Sequence, residues 1–147
     1  MTEITIKKAA ISDLSAVTAL AQKLFSLSDV LEVEMELLLS DEGAAIFIAY
    51  VENVPAGFAQ VQLRRDYVEG TATSPVGYLE GVYTETAFRK QGIAKRLVEI
   101  CEAWAKEKGC LEFASDCELA NSDSILFHKA IGFLEANRIV CFVKGLL

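Results

Sequence analysis

Residues 78–109 read in order as a strand, a basic glycine turn and an amphipathic helix, and few folds accept that succession. The strand is residues 78–83. In the helix, Ile93, Leu97, Ile100, Cys101 and Trp104 recur at the spacing that places side chains on one helical face. Gly109 stands just past that run, where a left-handed residue closes a helix with least strain. A strand feeding an amphipathic helix through a short turn calls for a sheet with helices packed on it.

The remaining chain fits that plan. Ile4 and Ile6 alternate with polar neighbours and predict a first strand. Ser12 or Asp13 is placed to cap a helix whose Leu14, Val17, Leu20, Ala21 and Leu24 share a face. Residues 30–39 carry mixed signals. Glu32, Glu34 and Glu36 alternate as in a strand, but Leu, Met and Glu favour a helix, and helix is the reading taken. The three acids read as its solvated face. Residues 44–51 are rich in Ile, Phe, Tyr and Val and predict a buried strand. Asn53 and Pro55 break it, and residues 56–64 return as its hairpin partner. Residues 66–77 predict a loop, residues 111–115 a short strand, and Asn121 or Ser122 the start of a helix ending near Gly132. Residues 138–144 predict a closing strand. The expected fold is α/β: one central, mostly antiparallel sheet flanked by helices. No repeat, low-complexity tract or linker divides residues 1–147, so one domain is expected.

Fourteen Lys and Arg against 21 Asp and Glu leave a net charge of −7. That field repels a phosphate-rich polymer and favours a cationic ligand, so nucleic acid is not an expected partner. Residues 1–10 lack the basic and apolar pattern of a signal peptide, and no run approaches the ~20 apolar residues of a membrane span. Cys101, Cys110, Cys117 and Cys141 are too scattered for paired metal motifs and read as reduced, mostly buried thiols of a cytoplasmic protein. His128 is the only histidine, so no zinc site is expected.

The chemistry concentrates in Phe88-Arg89-Lys90-Gln91-Gly92-Ile93-Ala94. Arg89, Gly92 and Ala94 form R-x-x-G-x-A where the strand gives way to the helix. The first helical turn there presents unpaired N–H groups and the positive end of the dipole, and Gly92 lets a ligand approach the backbone. Arg89 and Lys90 add charge, and Ala94 leaves room. A phosphate suits the place. The spacing is that of neither the P-loop nor the dinucleotide fingerprint.

With Asn121 downstream and then Ala130-Ile131-Gly132-Phe133, this turn resembles the GNAT acetyltransferase superfamily over nearly the whole chain. Asp66-Tyr67-Val68-Glu69-Gly70, Ser74-Pro75-Val76, Leu79-Glu80-Gly81 and Ala114-Ser115-Asp116 are further similar to the aminoglycoside 6'-N-acetyltransferases. The resemblance implies acetyl-CoA as co-substrate, with its pyrophosphate on the turn formed by Arg89, Lys90, Gln91, Gly92, Ile93 and Ala94. It implies that Val82, Tyr83 and Thr84 of the preceding strand, and Asn121, also face the cofactor. Phe25, Tyr67, Glu80 and Asp116 would line the amine pocket, and His128 would protonate the departing thiolate. A homodimer is implied as well. The sequence departs from that family at Leu24-Phe25-Ser26-Leu27-Ser28, where members carry L-W-P-x-H, and at Asn137, where a family Glu falls. Those departures bear on the substrate rather than on acetyl transfer.

Acetyl transfer needs a neutral amine, because an ammonium has no lone pair to attack with. Glu80 suits two roles, a base that takes the proton directly or through water and a charge partner for a cationic substrate. His128 has the chemistry of a general acid and equally that of a plain helix histidine. Tyr67, in a loop between acids, reads as facing a ligand. Other acceptors remain open, a polyamine or a peptide N-terminus among them, as does a non-catalytic module that binds acyl-CoA.

Overall fold

A computed structural model describes residues 2–25 and 28–147. Five strands, β1 (Ile4–Lys8), β2 (Ala44–Val51), β3 (Val54–Arg64), β4 (Val76–Thr84) and β5 (Phe113–Ser115), form one sheet in sequence order. The first four pair antiparallel, and β4 pairs with β5 in parallel. Among the described residues, four α-helices, α1 (Leu14–Leu24), α2 (Leu31–Leu39), α3 (Ile93–Glu107) and α4 (Ser122–Ala130), accompany the sheet, with short 3-10 turns at Ile11–Asp13 and Thr86–Phe88. This is the α/β arrangement expected.

Strand β2 reads as an unbroken apolar run because it is buried on both faces. Ala45, Phe47, Ala49 and Val51 pack with α3, while Ile46 and Ile48 pack with α1 and α2. Strand β3 splits likewise, with Ala59 and Val61 toward α3 and Phe58 toward α1. The predicted stripe of α3 is buried as expected, with Leu97 and Cys101 fully enclosed. Each such side chain contributes roughly 1.5–3 kcal/mol, so the two apolar layers clamp the sheet between them. Burial also pushes the Cys101 thiol up to about 12, so it serves as an inert filler.

Several expectations need correction. Asp13 precedes α1, but its carboxylate does not cap the helix. It turns back to accept from the Ala10 N–H at 2.9 Å and the Tyr50 hydroxyl at 2.7 Å, tying the entry of α1 to β2. Pro55 lies inside β3 rather than ending β2, because Glu52 and Asn53 both take positive φ and close the hairpin tightly. Two of the four cysteines, Cys117 and Cys141, are exposed. The largest difference is at the C-terminus. Residues 138–144 are not a strand, since a strand exists only where another supplies its ladder, and among the described residues none does. Ile139, Val140, Phe142 and Val143 there are exposed.

Candidate active site

Strands β4 and β5 pair only over Gly77↔Phe113, Tyr78↔Ala114 and Leu79↔Ser115. Beyond Leu79 and Ser115 they part. Residues Glu80 to Thr84 of β4 therefore have no β5 partner, which leaves one row of backbone groups available to an extended ligand. Helix α3 follows β4 and α4 follows β5, so both helix N-termini lie at the carboxyl ends of two parallel strands. Ligands of α/β sheets collect at that place.

The turn before α3 is built to leave its amides open. Gly92 is the N-cap residue at φ 77°, and no side chain caps the helix. A Cβ built on Gly92 would meet nothing within 4 Å, so the space above the first turn is clear. Lys90 also takes positive φ. Arg89 Nε donates to the Thr84 carbonyl at 2.9 Å and fixes the turn to the end of β4, so its positive charge stands there without closing the turn. The expected phosphate chemistry fits these residues. Val82, Tyr83 and Thr84 occupy the unpaired reach of β4, and the buried Thr84 hydroxyl has no hydrogen-bond partner among the described residues. Asn121 caps α4, its side-chain oxygen accepting from the Ser124 N–H at 3.1 Å.

The acids come next. In the β3–β4 register Gln60 faces Gly81 and Val61 faces Leu79, so Glu80 is the extra residue of a bulge. Bulges re-aim a side chain, and this one sits where β4 and β5 part. Both Glu80 carboxylate oxygens accept from Arg64, Nε to Oε2 at 2.9 Å and Nη2 to Oε1 at 2.7 Å. The Arg64 guanidinium lies 3.6 Å from the centre of the Tyr78 ring, whose hydroxyl donates to Asp116 at 2.7 Å. One chain of contacts, Glu80 to Arg64 to Tyr78 to Asp116, thus joins the two predicted acids. The hydrogen bonds to Glu80 outweigh burial and raise the guanidinium above its ordinary value. Burial, and then the bond to Asp116, push the Tyr78 phenol well up, so it stays a neutral donor. Sequence reasoning missed Arg64 and Tyr78. The alternation of β3 and β4 marks them only as ordinary strand residues, and nothing local tells that they meet.

Other predicted residues fall out as follows. Phe25 packs edge-on against Phe58 and reaches Gly81, where a Cβ would lie 2.9 Å from its ring. The glycine of L-E-G is thus there to admit Phe25 beside the bulge. Ser26 and Leu27 lie outside the described residues. Tyr67 is exposed on the β3–β4 loop. Asn137, in place of a family Glu, donates to Glu69, where a second carboxylate would repel it. His128 is half-buried against Phe133. Its Nδ1 lies 2.7 Å from the Ser124 carbonyl, which accepts only, so Nδ1 carries a proton. Its Nε2 faces the Ser115 hydroxyl at 2.8 Å. Glu32, Glu34 and Glu36 are solvent-exposed, as read.

No helix among the described residues is long and apolar enough to cross a membrane. Among them no group of three His, Cys, Asp or Glu side chains is placed to hold a metal ion.

A model of the acetyltransferase (GNAT) family matches residues 14–133. The aminoglycoside N(6')-acetyltransferase type 1 of Acinetobacter haemolyticus is 39% identical over 142 residues, covering 96% of this chain and 98% of the relative. The solved structure of AAC(6')-Iy in complex with the bisubstrate analogue CoA-S-monomethyl-acetylneamine superposes with TM-score 0.93 at 34% identity, over 98% of this chain and 99% of that one. AAC(6')-Ih from Acinetobacter baumannii gives TM-score 0.92 at 37% identity, over 98% and 99%.

Proposed function

This chain belongs to the acetyltransferase (GNAT) family, and from that premise we propose that it moves the acetyl group of acetyl-CoA onto the 6'-amino group of an aminoglycoside. The observation that carries this reading is the parting of β4 and β5, which sets an open, uncapped helix N-terminus and two acids at one end of the sheet. Relatives named for that reaction support the substrate, and the solved relative bound to a CoA–aminoglycoside analogue supports the pairing of the two ligands.

In the reaction the amine nitrogen attacks the thioester carbonyl, an N–C bond forms, the C–S bond breaks, one proton leaves nitrogen and one reaches sulfur. Amides of Gln91, Gly92, Ile93 and Ala94 hold the pyrophosphate, with Arg89 and Lys90 adding charge. The free backbone of Val82, Tyr83 and Thr84 orients the extended arm, and Asn121 stands beside it at the head of α4. Glu80 and Asp116 hold the cationic acceptor, with Tyr67 and Phe25 flanking it. The Nδ1–H of His128 stays on the Ser124 carbonyl, so a proton given to the thiolate leaves from Nε2, the ring nitrogen beside the Ser115 hydroxyl.

The protein works as one domain in the cytoplasm, where acetyl-CoA is available and thiols stay reduced. It pairs as a homodimer, a reading supported by the exposed apolar side chains of residues 138–144, which have no strand to join in their own chain. The test is acetyl-CoA turnover against an aminoglycoside, a polyamine, a peptide N-terminus and a simple monoamine. Selective turnover of the aminoglycoside is expected. Equal rates on all four, preference for another amine, or binding of acetyl-CoA without turnover would overturn it.

A further inference from the structure

The two acids of the amine site carry the same charge but stand in different company, and Arg64 makes the difference. Its guanidinium engages both oxygens of Glu80, whereas Asp116 is met by the neutral hydroxyl of Tyr78. Glu80 sits on a bulge, out of the β3–β4 register, and its side chain is only 15% exposed. Left alone there, the carboxylate would swing among rotamers. Arg64 is anchored at the end of β3, lies across the Tyr78 ring and reaches along the strand to the bulge. The planar fork fixes the carboxylate plane in a way a point charge does not. The sum of charges also matters. One guanidinium against two carboxylates leaves the group of three with one net negative charge.

We propose that Arg64 is a positioning residue that holds the Glu80 carboxylate toward the incoming amine and, by cancelling its charge, leaves Asp116 to supply the net attraction for a polycation. The idea rests on the acetyl-transfer reading above. Arg64 therefore trades affinity for order. Its removal frees Glu80 and doubles the negative charge of the site, so binding of a polycation strengthens while the productive placement of its amine is lost.

The test is steady-state kinetics of Arg64→Met and Arg64→Lys, with an aminoglycoside and with a monoamine, beside Glu80→Gln and the double variant Arg64→Met/Glu80→Gln. For Arg64→Met, kcat is expected to fall about tenfold to a hundredfold, the range that loss of reacting geometry produces, while the aminoglycoside KM falls severalfold and the monoamine KM changes less. Arg64→Lys keeps the charge, so its KM is expected near that of the wild type with kcat still reduced. It also carries the test if the neutral variant does not fold. In the Glu80→Gln background, Arg64→Met is expected to cost no further kcat. A rise in KM with Arg64→Met, an unchanged kcat in Arg64→Lys, or full additivity in the double variant would overturn the proposal. These outcomes are read against a wild type that acetylates its amine. A wild type that acetylates none fails the functional reading instead.

Discussion

Asp116 is bonded by the Tyr78 hydroxyl, while Arg64 is bonded to Glu80 and acts on Asp116 only through space, so under the proposed function Asp116 is the residue from which a polycationic substrate would draw most. A hydrogen bond to a charged group is worth roughly 1.5–3 kcal/mol, which is about tenfold to a hundredfold in affinity. Asp116→Asn is therefore expected to raise the aminoglycoside KM by that factor and the monoamine KM by less. The gap should narrow at high salt, where the wild type is already screened. Steady-state kinetics at two ionic strengths check this, and equal losses on both amines would end the selection role. Under the proposed function His128 is expected to be a helper rather than an essential group. A thiol has an ordinary pKa near ~8.5, so a departing thiolate is only partly in need of a proton at neutral pH. His128→Phe is expected to lower kcat severalfold while acetyl-CoA affinity in calorimetry stays within about twofold. Unaltered turnover across pH would remove the general-acid role.

At the scale of elements, the turn into α3 and the hairpin of β2 and β3 were legible because both are local. The periodic run from Ile93 to Trp104, the glycine before it and the apolar stretch of β2 each declare themselves within a dozen residues. The Arg64–Glu80 clamp was not legible, because it depends on a bulge and on a side chain reaching across a neighbouring strand. Asp13 shows the same limit. Its place before α1 reads as a cap, yet its true partners are Ala10 and Tyr50, and the latter lies on another element. Gly92→Asp is the test of the α3 turn. The aspartate would set a carboxylate in the clear space above the first turn, and the left-handed backbone adds ~1–2 kcal/mol of strain for a side chain. Acetyl-CoA affinity is expected to fall more than tenfold in calorimetry, with the fold kept. For Asp13, burial works against its charge, but the Ala10 N–H, the Tyr50 hydroxyl and Lys7 win and hold the carboxyl below its ordinary value. A depressed carboxylate stabilises the fold above the unfolded value near ~3.9 and loses that contribution as pH falls through the folded one. Asp13→Asn is thus expected to lower the melting temperature at pH ~7 and to converge on the wild type only as pH falls through the depressed folded value, the deficit being about 1–3 kcal/mol where the carboxylate is ionised.

The whole molecule carries a net charge of −7, and that field draws a polycation toward any acidic cleft while keeping separate copies apart. Against that repulsion stands the C-terminal segment. Phe133 stacks on Phe113 of β5 and so starts the tail beside the sheet edge, but Ile139, Val140, Phe142 and Val143 beyond it stand in solvent. Burying each of those side chains would gain roughly 1.5–3 kcal/mol, several times what an exposed charge pair costs at physiological salt. In the homodimer proposed above, a second copy would supply the backbone ladder and cover both apolar faces together. The full chain is expected to elute from size exclusion with light scattering at twice its own mass down to micromolar concentration. A chain ending at Phe133 should elute at the mass of one copy, and Phe142→Asp/Val143→Asp should do the same while leaving β1 to β5 in place by circular dichroism. A full chain that runs as one copy throughout, or a tail variant that stays dimeric, would place the interface elsewhere.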